Sequence, residues 1–116
     1  MGIALQELGH LPEAEASFKR AIDLKPSYAE AYYNQALLYK KIRKYNKSIE
    51  SFHNALKIKP DYFDAHFDLG QVYTTVGKFN ESIESFQKTI NLKPDFIPSY
   101  SNIFFTLLYM KEDKHN

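Results

Sequence analysis

Histidine, glutamate and aspartate are the side chains in this sequence best suited to acid–base or metal chemistry, and their spacing supports neither. The histidines are His10, His53, His66 and His115. None lies one helical turn from another, as histidine pairs that bind a metal on a helix do. Glu50 and Glu84 form an obvious carboxylate pair, but 84 − 50 = 34 residues separate them. We therefore expect solvated glutamates, no metal site, no cofactor and no enzymatic activity.

Composition narrows the class of protein. The chain has 116 residues, with Lys+Arg 15 against Asp+Glu 14 and no cysteine. The near-zero net charge argues against a nucleic-acid-binding protein, which usually carries a basic patch. The lack of cysteine removes disulfides and thiolate chemistry and fits a reducing compartment. No apolar run reaches about 18 residues, and the start lacks a basic signal region. We expect one cytoplasmic domain spanning residues 1–116.

One stretch of the sequence recurs. Residues 44–61 read KYNKSIESFHNALKIKPD, and residues 78–95 read KFNESIESFQKTINLKPD. The step is 34 residues, from Pro60 to Pro94 (94 − 60 = 34), and the same step backward reaches Pro26 (60 − 34 = 26). A fixed period of this size is typical of stacked helical hairpins.

The repeat divides the chain into units of two helices each. Apolar residues at three- and four-residue steps, together with Gly9, Gly77 and the recurring Lys-Pro pairs, mark the helix faces and ends. We predict helices over about 1–8, 12–24, 28–42, 46–58, 63–76, 80–92 and 98–110. The units cover about 1–28 (partial), 29–62 and 63–96, followed by a final helix over 97–110 and a polar, frayed tail over 111–116.

The pattern resembles the tetratricopeptide repeat. Its characteristic columns fall on Met1, Gly2, Leu5, Ala14, Phe18 and Pro26; on Tyr32, Gln35, Ala36, Tyr39, Ser48, Phe52 and Pro60; and on His66, Leu69, Gly70, Tyr73, Ser82, Phe86 and Pro94. The resemblance implies an all-α superhelix, or solenoid, of about three hairpins plus a C-terminal capping helix. The small residues of these columns allow close helix contact, and the phenylalanines fill the space between hairpins.

The last helix departs from the repeat. Its sequence, SYSNIFFTLLYM, is apolar almost all round, which indicates burial on both sides. It also places Phe104 in the column of small residues. We expect this helix to contact more chain, a partner or a second copy, and the last of these would be self-association. Residues 98–113 also resemble the segment that joins the repeats to the catalytic domain in O-linked N-acetylglucosamine transferases, including SPINDLY-like proteins.

The resemblance implies a partner-binding face on the first helix of each hairpin. Helical spacing places on this face Glu30, Tyr33, Asn34, Leu37, Asp64, Phe67, Asp68, Gln71 and Asn102. The column of Asn34, Asp68 and Asn102 resembles the asparagine ladder of transferase-type arrays, which is thought to hold a peptide backbone. An amide side chain offers both a donor and an acceptor. These residues are otherwise ordinary solvated groups, and Tyr33 and Phe67 are either anchors or rings half-covered by neighbouring hairpins.

Two functions follow from these residues. The first is a protein–protein interaction scaffold that binds a peptide or partner segment in a concave groove. Its acidic lining disfavours a carboxylate-ended ligand and favours a basic or neutral peptide. The alternative is the substrate-docking part of a glycosyltransferase without its catalytic domain. The reading frame beyond Asn116 separates the two, since a nucleotide-sugar domain there favours the second.

Overall fold

The described part of the protein consists of helices joined by short turns. The computed structural model describes residues 11–25 and 28–115. Within them the helices are α1 (Leu11–Leu24), α2 (Ala29–Lys41), α3 (Tyr45–Ile58), α4 (Phe63–Thr75), α5 (Phe79–Leu92) and α6 (Ile97–His115). The predicted helix over 1–8, the turn at Gly9 and His10, and Pro26 lie outside the described residues.

Successive helices pack as neighbouring hairpins. The closest pairs are α2 with α3 and α4 with α5, and α4 also packs against α2, α3 and α6. Helix α1 packs on α2, where the Tyr39 hydroxyl donates to Glu15 Oε2 at 2.8 Å. The described residues form an elongated body of 44 × 30 × 23 Å. The predicted all-α stack of hairpins is confirmed.

The core lies where each second helix meets the first. Phe52 and Phe86 are 0% exposed. Ala36, which holds the same column position in α2 as Gly70 in α4, is also 0% exposed. At Gly70, a Cβ atom would lie 2.9 Å from two ring atoms of Phe86, so only a hydrogen fits without movement. The predicted close approach of two helices is therefore confirmed at Gly70. Phe52 packs with Ala65 and Leu69 of the next hairpin, as predicted, whereas the contact of Phe86 with Gly70 lies within one hairpin. Phe18 of α1 is half-buried.

Buried hydroxyls join the two helices of both fully described hairpins. Ser48 Oγ donates to the Ala36 carbonyl oxygen at 2.8 Å, and Ser82 Oγ donates to the Gly70 carbonyl oxygen at 3.0 Å. Both serines are 0% exposed, so these bonds compensate for the lost hydration of the hydroxyls. The column that holds Ala14 in the first unit is thus occupied by a buried, hydrogen-bonded serine in each of the next two units.

The turns inside the two complete hairpins have the same conformation. Arg43 has φ 64° and Gly77 has φ 83°. The next amides close the turns: Lys44 N donates to Tyr39 O, and Lys78 N donates to Tyr73 O, both at 2.8 Å. This is the usual helix ending with a left-handed residue, which glycine adopts freely and arginine adopts at a cost.

Helix α6 is longer and less covered than the sequence predicts. It continues to His115, past the predicted end at Met110 and through most of the predicted tail. One side is packed: Ser99 and Thr106 are buried, and Ser99 Oγ is hydrogen-bonded to Thr89 Oγ1 of α5. The opposite side is exposed, so the predicted burial on both sides is not met within the described chain. None of the described helices combines the length and apolarity that a membrane span requires.

Candidate binding face of the hairpin stack

The first helices of the hairpins lie in a row. Helix α4 contacts α2 on one side and α6 on the other, so equivalent positions of the three helices form columns across one surface. We call this surface the inner face and define it by the predicted residues Glu30, Tyr33, Asn34, Leu37, Asp64, Phe67, Asp68, Gln71 and Asn102. Side-chain contacts show directly that the α2 and α4 parts of this face meet.

Asp68 is the centre of these contacts. The Tyr33 hydroxyl donates to Asp68 Oδ2 at 2.6 Å, and Lys40 Nζ lies 3.6 Å from Asp68 Oδ1. Lys40 Nζ also donates to Gln71 Oε1 at 3.0 Å. Burial of the phenol and its hydrogen bond to Asp68 raise the pKa of Tyr33 well above its usual range. Asp68 therefore holds two hairpins together and is not a free acceptor for a ligand.

The asparagine ladder is uneven. Asn34 is exposed on α2, whereas Asn102 is half-buried and its Nδ2 donates to the Pro98 carbonyl oxygen at 2.8 Å. Asp68 replaces the middle asparagine and has the partners described above. Of the three positions, Asn34 presents the most accessible amide to a ligand.

Two acidic residues accompany Asn34 on the exposed part of the inner face. Glu30 and Asp64 occupy equivalent positions in the first turns of α2 and α4, and both are exposed. Glu30 Oε1 accepts a hydrogen bond from the Tyr28 hydroxyl at 3.0 Å. Their equivalence follows from the 34-residue period, since 64 − 30 = 34. The exposed groups at this end of the face therefore attract positive charge.

The aromatic residues of the inner face form the same triad in each complete unit. Tyr33 lies 6.0 Å from the ring of Phe52 and 5.0 Å from that of Tyr62. In the next unit, Phe67 lies 5.6 Å from Phe86 and 5.3 Å from Phe96. These centroid distances are typical of favourable aromatic contacts. Tyr33 and Phe67 are thus packing residues that are half-covered by neighbouring hairpins. Leu37 is also half-buried and packs against the same core as Tyr33.

Lys40 was not among the residues predicted for this face. Lys40 nevertheless reaches Asp68 and Gln71 across the repeat boundary. The sequence position of Lys40 did not indicate this contact, because a long lysine side chain can cross to a neighbouring helix from several positions. Its ammonium group offsets part of the negative charge of Asp68.

A second concavity lies on the other side of the stack, and the sequence did not predict it. It is a cleft of about 280 Å³ lined by His53, Leu56, Pro60, His66, Leu69, Tyr73, Glu81, Glu84, Ser85 and Lys88. His66 Nε2 donates to the Pro60 carbonyl oxygen at 2.8 Å, and His53 Nε2 is 2.9 Å from the Tyr73 hydroxyl. Among the described residues, no three acidic or histidine side chains are arranged to hold a metal ion.

Both cleft histidines resist protonation. Burial lowers the pKa of His66, which is 7% exposed, and Lys88 adds to this effect; the Pro60 carbonyl and Asp61 act in the opposite direction. His53 is more exposed, and partial burial lowers its pKa, with a smaller contribution from Lys57. The neutral imidazole is therefore the form that this packing stabilises.

We expect the free energy of unfolding to fall as the pH is lowered through the ordinary pKa of histidine, about 6.5. Below that pH the unfolded chain binds protons that the folded histidines, with lowered pKa values, do not yet bind. Urea denaturation at a series of pH values measures the slope. The double variant His53→Gln/His66→Gln should show a flatter dependence, and an unchanged slope would contradict this assignment.

Comparison with known proteins agrees with this geometry. The sequence profile described as "TPR repeat" matches residues 2–42 and 44–77, more than half of the chain, and the profile described as "Tetratricopeptide repeat" matches residues 63–96. No curated protein matches the sequence. Tetratricopeptide repeat domains generally serve as protein–protein interaction modules.

Solved structures show the same architecture. A crystal structure of MamA aligns with TM-score 0.83 and 30% identity over 95% of this chain and 64% of that chain, and another MamA structure aligns with TM-score 0.78 and 31% identity over 90% and 57%. This chain thus spans less than two thirds of the length of these proteins. A mutant of the Thermobaculum terrenum O-GlcNAc transferase shares the fold, with TM-score 0.74 and 24% identity over 88% of this chain and 20% of that chain. From the profile matches and the paired helices, the chain belongs to the tetratricopeptide repeat family.

Proposed function

We propose that the inner face binds an extended peptide or a partner segment of basic or neutral character. The observation that carries this proposal is the row of α2, α4 and α6, whose equivalent positions create a surface longer than one helix pair. Glu30, Asn34 and Asp64 remain exposed along it. A ligand lying across the row meets these polar groups in succession.

The chemistry of the exposed groups sets the class of ligand. Asn34 can donate to a peptide carbonyl and accept from a peptide N–H, which provides affinity with little dependence on sequence. Glu30 and Asp64 attract lysine and arginine side chains and repel a carboxylate. Such charges chiefly raise the association rate and exclude wrong partners. Membership of a family of protein interaction modules supports the class of partner.

Fluorescence polarisation with labelled peptides of equal length tests the proposal. The panel contains a basic, a neutral and an acidic peptide, and we expect the acidic peptide to bind most weakly. Asn34→Ala should weaken binding of the neutral peptide by roughly threefold to tenfold, which corresponds to the net value of one hydrogen bond. Asp64→Asn should reduce the preference for the basic peptide.

The matched control is Asn80→Ala, since Asn80 is an exposed asparagine on α5, outside the inner face. It should leave all affinities unchanged. Helical circular dichroism establishes that each variant is folded. Equal losses in Asn34→Ala and Asn80→Ala, or equal affinity for all three peptides, would contradict the proposed face and its charge preference.

A second candidate function is the docking of substrate protein for a glycosyltransferase. It is supported by the resemblance of residues 98–113 to a transferase junction and by the fold shared with the bacterial transferase. This support concerns architecture alone, so the candidate ranks below the interaction scaffold. A nucleotide-sugar-binding domain encoded in the same reading frame would reverse that order.

A further inference from the structure

Helix α6 has an apolar stripe opposite its packed side. We call it the outer stripe and define it as Ile97, Tyr100, Phe104, Leu107 and Leu108. These side chains are 68%, 45%, 60%, 51% and 43% exposed, respectively. Such contiguous exposure is unusual on a monomeric protein and generally marks an interaction surface.

The equivalent side of α4 is covered. One repeat earlier, the positions of Tyr100 and Leu107 are occupied by His66 and Tyr73, which are only 7% and 8% exposed. Helix α5 covers this side through Phe86, which packs on Gly70, and α3 covers it through His53, which contacts the Tyr73 hydroxyl. The outer stripe is therefore a face that this architecture normally buries against another helix.

A helix with a phenylalanine in the Phe86 column does not fit over the outer stripe. Phe86 of α5 packs where Gly70 has no side chain, and even a Cβ atom there would lie 2.9 Å from the phenylalanine ring. Phe104 occupies the position of Gly70 in α6, since 104 − 70 = 34, and adds a whole benzyl group. Another hairpin helix in the same register, with an aromatic residue in the Phe86 column, would overlap this ring.

We propose that the outer stripe pairs with the outer stripe of a second copy of this chain. Ile97, Tyr100, Phe104 and Leu107 follow each other at steps of three, four and three residues, which is the spacing of a helix-pairing seam. Five side chains that are about half exposed supply roughly 100 Å² each, or roughly 500 Å² per copy and about 1,000 Å² per pair. That area meets the lower limit of about 1,000 Å² for a specific interface.

A two-fold axis gives this pairing a simple geometry. The two α6 helices lie antiparallel, and each outer stripe contacts the same stripe of the other copy. Phe104 lies near the centre of the stripe and faces Phe104 of the second copy, while Tyr100 faces Leu108. The large ring that leaves no room for another phenylalanine of the Phe86 column thus becomes the centre of the dimer contact. The pairing surface is separate from the exposed groups Glu30, Asn34 and Asp64.

Sedimentation velocity over a series of concentrations tests the proposal on the full chain. We expect the wild type to shift from monomer to dimer as concentration rises. Phe104→Glu and Leu107→Glu should remain monomeric, with unchanged helical circular dichroism. Leu24→Glu is the matched control, because Leu24 is 81% exposed on α1, away from the stripe; it should dimerise like the wild type. A wild type that stays monomeric at every concentration would overturn the proposal.

Cysteine crosslinking provides an independent readout that does not introduce a buried charge. The chain contains no cysteine, so Phe104→Cys carries a single thiol per copy. With an added oxidant, the two thiols of a pair lose two protons and two electrons and form one disulfide. We expect rapid, covalent dimers from Phe104→Cys and few from Leu24→Cys. Equal yields from the two variants, or a dimer that Phe104→Glu leaves intact, would exclude pairing through the outer stripe.

Discussion

Phe86→Ala is expected to lower the free energy of unfolding by about 3–5 kcal/mol, the usual cost of removing a buried aromatic ring. The ring is completely buried, and it contacts both Gly70 and Phe67. Its removal leaves a cavity between α4 and α5 that the rigid helix pair cannot easily close. The expected loss is a large part of the total stability of a small domain, about 5–15 kcal/mol.

Urea denaturation monitored by circular dichroism measures this loss. Phe52→Ala should cost a similar amount because Phe52 is equally buried one repeat earlier. Phe18→Ala is the matched comparison: Phe18 has the same column position but is only half-buried, so its loss should be clearly smaller. Equal losses for all three variants would mean that burial does not determine how much each phenylalanine of this column contributes to the free energy of unfolding.

Gly70→Leu is expected to destabilise the protein by about 3 kcal/mol or more, at the upper end of the range for overpacked cores. The first added carbon would already lie 2.9 Å from the ring of Phe86, and three further carbons must displace that ring or separate the helices. The higher helix propensity of leucine recovers only about 0.5–1 kcal/mol of this cost.

Graded substitutions at this position separate crowding from propensity. Gly70→Ala should cost much less than Gly70→Leu, since Ala36 occupies the same column in the preceding hairpin. Thr75→Leu, at an exposed position of the same helix, should change the stability little. Thermal and urea unfolding of the three variants provides the comparison. A Gly70→Leu protein as stable as the Thr75→Leu protein would show that the contact between Gly70 and the Phe86 ring is not tight.

The hairpin architecture was predictable because the same contacts recur at a fixed interval. Phe52 and Phe86, the small residues facing them and the turn before Lys44 or Lys78 each appear twice in one register, and local periodicity determines the helices between them. The length of α6 was less predictable, because its polar end, Lys111 and Glu112, has neither the apolar spacing nor a helix-stopping residue. The helix continues there for lack of a stop signal.

The contacts of the inner face were not predictable at the level of side chains. Helical spacing placed Tyr33, Asp68 and Gln71 on one surface, but the hydrogen bonds from Tyr33 to Asp68 and from Lys40 to Gln71 cross between hairpins. They depend on how far one hairpin is shifted and rotated against the next, which periodicity does not specify. Likewise, the bond of Asn102 to its own helix backbone depends on a rotamer rather than on spacing.

Contacts restricted to adjacent helices have a consequence for the order in which the protein opens. Within the described residues, α4 is held from both sides, whereas α1 contacts only α2 and α6 contacts only α4 and α5. In such one-dimensional assemblies each unit gains stability mainly from its nearest neighbours. Among the described helices, opening should therefore require less free energy at α1 and α6 than at α4, so that backbone amides of α4 should exchange with solvent more slowly than those of α1 and α6.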